Sequence, residues 1–110
     1  MGKIYRFIEP AILMLLEIKG FSYGYDLAES VQQFGLAESS VESAALYRTL
    51  RILEKNGHVR SRWESDHSGP SRRVYCLTPA GRQHLREWGE LMERLGNSLL
   101  GFSRQVKRKL

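Results

Sequence analysis

Apolar residues change their spacing along the chain, and the changes divide it into elements. Ile8, Ile12, Leu15 and Leu16 recur at the spacing of one helix face. Glu9-Pro10 opens this first helix, because proline at the first helical position gives up only an N–H that would have no partner there. Gly20 closes it, with Lys19 in the last turn, where a cation suits the negative end of the helix dipole. A second helix is predicted over roughly Tyr23 to Phe34, capped by Ser22, with Leu27, Val31 and Phe34 as its inward stripe and Gly35 as its end. A short connection to about Val41 leads to a third helix, about Glu42 to Asn56, closed by Gly57. Its faces separate cleanly: Leu46, Leu50 and Leu53 line one side, and Ala44, Tyr47, Arg48, Arg51 and Lys55 occupy the other.

The period then switches from helical to alternating. His58 to Glu64 sets Val59, Ser61 and Trp63 against Arg60, Arg62 and Glu64, and Arg72 to Leu77 sets Val74 and Cys76 against Arg73, Tyr75 and Leu77. Ser65-Asp66-His67-Ser68-Gly69-Pro70 between them is a loop by composition, so the pair reads as a hairpin, with Trp63 packing along its strand. Alternation also predicts that only one of Arg72 and Arg73 lies on the outward face. Thr78 then caps a last helix with Pro79 at its first position, running to the C-terminus. Along it Leu85, Trp88, Met92, Leu95, Leu99, Phe102 and Val106 keep alternate spacings of three and four, a heptad seam. So long a seam exceeds what one small core covers, and the remedy is the same helix, or the first helix, of a second copy.

Composition bounds the class. The chain has 110 residues, 42% apolar and 26% charged, which is one globular domain. No apolar run is long enough to span a membrane, and the N-terminus, with Lys3 and Arg6, lacks a signal-peptide cleavage pattern, so a cytoplasmic protein is expected. The single cysteine, Cys76, excludes an internal disulfide and reads as a buried strand residue. His58, His67 and His84 have no metal-ligand spacing, and no nucleophile–base pair or phosphate-cradling glycine loop occurs. No enzyme, cofactor or metal is predicted. Charge is more informative: the net +5 is segregated, with residues 1–47 at −3, residues 48–73 at +4 and four more cations from Arg104 onward. Segregated positive charge suits a polyanion.

Three helices, a hairpin and a long helix make a mainly α chain with a small antiparallel β-hairpin, the order of a winged helix-turn-helix with a C-terminal helix attached. Residues 1–78 form the winged helix and 79–110 the helix, as one compact unit. In this arrangement the third helix enters the major groove of double-stranded DNA and the hairpin, or wing, meets phosphate or the minor groove. Arg48 and Arg51 can fork onto guanine edges, Tyr47 can reach phosphate or pack on the wing, Lys55 suits the backbone, and Arg72 and Arg73 bracket the wing loop.

Tyr23-Gly24-Tyr25-Asp26-Leu27, Leu46-Tyr47-Arg48-Thr49-Leu50-Arg51-Ile52-Leu53-Glu54, Gly57-His58-Val59 and the run Gly69-Pro70-Ser71-Arg72-Arg73-Val74-Tyr75-Cys76-Leu77-Thr78-Pro79-Ala80-Gly81 resemble the PadR family of transcriptional regulators. The resemblance spans roughly residues 8–88. It implies a homodimeric winged-helix repressor that dimerises through Leu85, Trp88, Met92, Leu95, Leu99 and Phe102 of the last helix. The heptad position of Trp88 reads it as ordinary interface core; the alternative, which the resemblance to some members of the family implies, is a small aromatic effector against Trp88. Tyr23 departs from the family's usual His, Ala45 from its Thr or Ser, and Glu42 from its capping Ser. A second functional class stays open, a winged-helix adaptor that binds protein without specific DNA binding.

Overall fold

The computed structural model describes residues 7–34, 43–65 and 69–110. The expected start of the third helix at Glu42, the connection from Gly35 to Val41, Asp66-His67-Ser68 of the wing loop, and Lys3 and Arg6 lie outside the described residues. In chain order the elements are α1 (Ile8–Lys19), β1 (Ser22–Tyr23), α2 (Gly24–Ser30) with a 3-10 turn over Val31–Phe34, α3 (Ser43–Lys55), β2 (Val59–Glu64), β3 (Arg72–Leu77) and α4 (Pro79–Lys109).

Helix α1 is the hub. Ile8, Ala11, Ile12, Leu13, Leu15 and Leu16 are all buried, and α1 packs against α3, β3 and α4. It begins two residues before Pro10, which therefore sits within the first turn, where its missing N–H still costs nothing. Gly20 ends the helix at φ 83°, its N–H donating to the Leu16 carbonyl. Leu27 and Val31, then Leu46, Leu50 and Leu53 of α3, then Val59, Val74 and Tyr75, complete the core. Each Leu of that α3 stripe is fully buried, so the inward face is the one its periodicity predicts.

Two expectations change around residue 22. Ser22 does not cap α2; it lies in β1, which pairs antiparallel with β3 through Ser22↔Tyr75 and Tyr23↔Val74. The hairpin is therefore part of a three-stranded antiparallel sheet, ordered β1-β3-β2. Tyr23 takes the N-cap position with extended backbone and no side-chain cap bond. A two-residue strand is too short to show alternation, and its partner lies some fifty positions away, so local pattern could not disclose it.

The start of α4 is latched to the end of α3. His58, just after the positive-φ Gly57, donates its N–H to the Leu53 carbonyl at 2.8 Å, closing α3. The Thr78 hydroxyl reaches the Gly57 and His58 carbonyls at 2.6 and 3.0 Å and accepts the Gly81 N–H at 3.0 Å. Beyond this seat α4 leaves the domain: a helix of this length reaches about 46 Å. Along the seam Leu85, Trp88, Met92 and Leu95 are half-buried, whereas Leu99 and Phe102 are 69% and 66% exposed and Val106 is also exposed.

Candidate nucleic-acid interface

Burial of Leu46, Leu50 and Leu53 turns Ala44, Arg48, Arg51 and Lys55 to solvent on the opposite side of α3. No hydrogen bond or ion pair ties Arg48, Arg51 or Lys55 to another described residue, so three full positive charges stand along one exposed face. Tyr47 flanks that face and packs on Gly24 at the start of α2. A Cβ built on Gly24 would lie 2.6 Å from Tyr47 Cε1 and 2.9 Å from its hydroxyl, so only glycine lets the ring lie flat there. Ile52 flanks the other edge, one turn after Arg48, and is 49% exposed. Sequence reasoning passes over it; the signal is its place outside the leucine stripe.

On the wing Glu64 stands opposite Arg72, and Trp63 opposite Arg73. Both arginines are exposed, a departure from the expectation of one, because the far end of the hairpin extends past the core and leaves both of its faces uncovered. Their surroundings differ. The Arg73 guanidinium lies 5.4 Å from the Trp63 ring centre, donates to Ser61 Oγ at 2.9 Å and meets Glu54 Oε1 at 3.5 Å. Trp63, expected to pack along its strand, is thus an exposed platform for Arg73. Arg72 instead lies over Tyr23 and Tyr25, 5.7 and 5.8 Å from their ring centres, and donates to the Tyr25 hydroxyl at 3.1 Å. Cys76, expected to be buried, is half-buried.

At the root of α4 the Trp88 indole N–H donates to Glu9 Oε1 at 3.0 Å, and the ring of Phe7 meets it edge-on. Trp88 is thereby tied to α1 of its own chain. The His84 ring contacts the same Glu9 oxygen and stacks on His58 with ring centres 3.9 Å apart. His58 Nδ1 is buried without a partner among the described residues. Burial, and next the adjacent His84, hold the His58 imidazole below its ordinary range, against the opposite pull of Glu9 and Glu87. The folded chain therefore takes up this proton less readily than the unfolded one. The stability this provides is whole above roughly pH 6.5 and is lost as pH falls through the depressed folded value. Melting temperatures recorded from pH 7.5 to 5 should fall with acidification, and the fall should be shallower in a His58→Asn protein; an equally steep fall would contradict the assignment.

Beside Trp88, its helical neighbours Leu85 and Met92 line an apolar groove of about 410 Å³ with Gly89, Pro10, Ala11, Met14 and Phe34. Among the described residues no group of three or more His, Cys, Asp or Glu could hold a metal ion, and no helix is long and apolar enough to cross a membrane.

The sequence model described as the transcriptional regulator PadR-like family matches residues 12–87, more than half of the chain. This chain belongs to the PadR-like family. Among the PadR-like regulator's relatives, a probable transcriptional regulator of Mycobacterium tuberculosis is 35% identical over 83 residues, covering 72% of this chain and 42% of that protein. The chain thus spans about two-fifths of the length of that relative. The solved structure of a transcriptional regulator from Clostridium thermocellum is similar at a TM-score of 0.77 and 27% identity, over 88% of this chain and 90% of that one. PadR of Bacillus subtilis, solved in complex with operator DNA, is similar at a TM-score of 0.65 and 29% identity, over 77% of this chain and 48% of that one. The PadR-like family is one of transcriptional regulators, not of enzymes.

Proposed function

We propose that this PadR-like chain is a homodimeric, sequence-specific DNA-binding repressor of the cytoplasm, released from its operator by a small aromatic effector. The observation that carries the reading is the unpaired basic face of α3 standing beside a wing with two exposed arginines. Arg48 and Arg51 read base edges, Lys55 and the Tyr47 hydroxyl meet the backbone, and Arg72 and Arg73 meet phosphate or the minor groove. The B. subtilis relative solved on operator DNA supports the same use of the fold here.

The dimer forms along Leu85, Trp88, Met92, Leu95, Leu99 and Phe102. Its motive is the apolar seam that α4 carries beyond its own domain, where Leu99 and Phe102 have nothing of this chain over them among the described residues. Leu99→Asp combined with Phe102→Asp places charge in that seam. In analytical ultracentrifugation this protein should sediment as a monomer at concentrations where the wild type is a dimer; an unchanged dimer would place the interface elsewhere. The effector stacks on Trp88, whose indole N–H is held by Glu9 of α1.

Purified protein presented with a random duplex pool should enrich a motif of twofold symmetry, its half-site centres about 34–36 Å apart or a multiple of that. With about eight phosphates neutralised, the logarithm of affinity should fall against the logarithm of salt with a slope of roughly −7. A pool with no enrichment, from a protein that captures a protein partner instead, would favour the adaptor reading.

A further inference from the structure

We propose that Tyr23 and Tyr25 are positioning residues that hold Arg72 ready for a DNA backbone phosphate without neutralising it. The proposal rests on the DNA-binding reading above.

The geometry is that of a clamp. The Tyr23 and Tyr25 rings are parallel within 3°, with centres 5.7 Å apart. The Arg72 guanidinium lies within cation–π range of both, and one of its N–H groups is taken by the Tyr25 hydroxyl. The tyrosine pair is fastened from the other side: the Tyr23 hydroxyl donates to Glu64 Oε2 at 2.9 Å. Glu64 is the cross-strand partner of Arg72, so β1, β2 and β3 meet at this one point.

What matters is which partners are used. In register, Glu64 is the obvious salt-bridge partner for Arg72. Its two oxygens are instead occupied by the Tyr23 hydroxyl and by Arg62, which reaches Oε1 at 3.2 Å. Those same two hydrogen bonds hold the Glu64 carboxyl below its usual range, Tyr23 contributing most. Arg72 is left with neutral, aromatic partners and no ion pair to a described residue. A guanidinium offers five N–H donors in a rigid fork, so most remain for an incoming anion. Arg73, by contrast, already shares its charge with Glu54. Of the two wing arginines, Arg72 is thus both held in place and uncompensated. Neither tyrosine's role follows from spacing alone, since Tyr23 reads as the start of a helix in the sequence.

The test is a double-mutant cycle on the duplex that the wild type selects, with affinities measured across a salt series. Arg72→Ala should weaken binding and reduce the magnitude of the salt slope by roughly one for each protomer bound. Tyr25→Phe removes the acceptor, and Tyr23→Phe keeps the ring stack but cuts the tether to Glu64. Each should weaken binding about three- to tenfold with Arg72 present and change nothing further in an Arg72→Ala background, the signature of coupled sites. Thermal melts of the two Tyr→Phe proteins, conservative and near the surface, confirm folding. Full additivity of tyrosine and arginine effects, or an Arg72→Ala protein with the wild-type salt slope, would overturn the clamp while leaving DNA binding intact. A wild type that enriches no duplex would remove the DNA-binding reading and the clamp with it.

Discussion

A Gly81→Ala protein is expected to melt roughly 10–15 °C below the wild type, a loss of about 2–3 kcal/mol at the top of the usual range for overpacking. A Cβ built on Gly81 would sit 1.9 Å from the His58 carbonyl oxygen, 2.9 Å from its carbon and 2.7 Å from Leu77 Cδ1. Two of those three atoms are backbone and cannot swing aside. The carbonyl is also engaged, accepting the Thr78 N–H at 3.2 Å and approached by the Thr78 hydroxyl. Making room means parting α4 from the turn that closes α3, and with it the His58–His84 stack. That turn is also where the start of α4 is seated against the end of α3, so, on the proposal that α3 reads bases and α4 dimerises, Gly81→Ala should also loosen the spacing between half-sites. Differential scanning calorimetry gives the first result directly; a melting temperature within 3 °C of wild type, judged against the roughly 4–8 °C that each kcal/mol moves a small domain, would mean the seat is not rigid.

Arg51→Ala is expected to cost about 1–3 kcal/mol per half-site on the selected operator, roughly 5- to 150-fold, if its fork meets a guanine edge. Arg48→Ala should behave alike. The pattern across sequences matters more than the size. Removing a side chain that bonds a base edge should weaken the operator far more than an unrelated duplex and relax the preference at one base pair. Removing one that bonds only phosphate should weaken both duplexes about equally. Electrophoretic or anisotropy titrations on the two duplexes separate the outcomes. Equal weakening of both would reassign Arg51 to the backbone.

Much of this architecture is legible in the sequence because its signals are local. The leucine period of α3, the Thr78-Pro79 start of α4 and the alternation of β2 and β3 each speak within one or two turns of chain. The basic face of α3 follows once Leu46, Leu50 and Leu53 are assigned inward. What escapes depends on partners distant in sequence. β1 exists only because Ser22 and Tyr23 find Tyr75 and Val74. Tyr47 lies on Gly24, Trp88 reaches back to Glu9, and Arg72 lies on two tyrosines nearly fifty residues earlier. Alternation correctly puts Arg72 and Arg73 on opposite faces of the wing. It does not say that the hairpin extends beyond the core, where both faces are solvent. Trp63 departs from expectation for the same reason, as hydrophobicity alone does not tell a core side chain from a platform for a cation.

The claim beneath the rest is that the outward side of α3 lies in the major groove. Dimethyl sulfate protection of the selected duplex examines it directly, since the reagent methylates guanine N7, an atom open only in that groove. Bound wild-type protein should shield one or more guanines in each half-site, and Arg51→Ala or Arg48→Ala should restore reactivity at a particular one. A saturated complex that leaves every guanine N7 as reactive as free DNA would contradict the account.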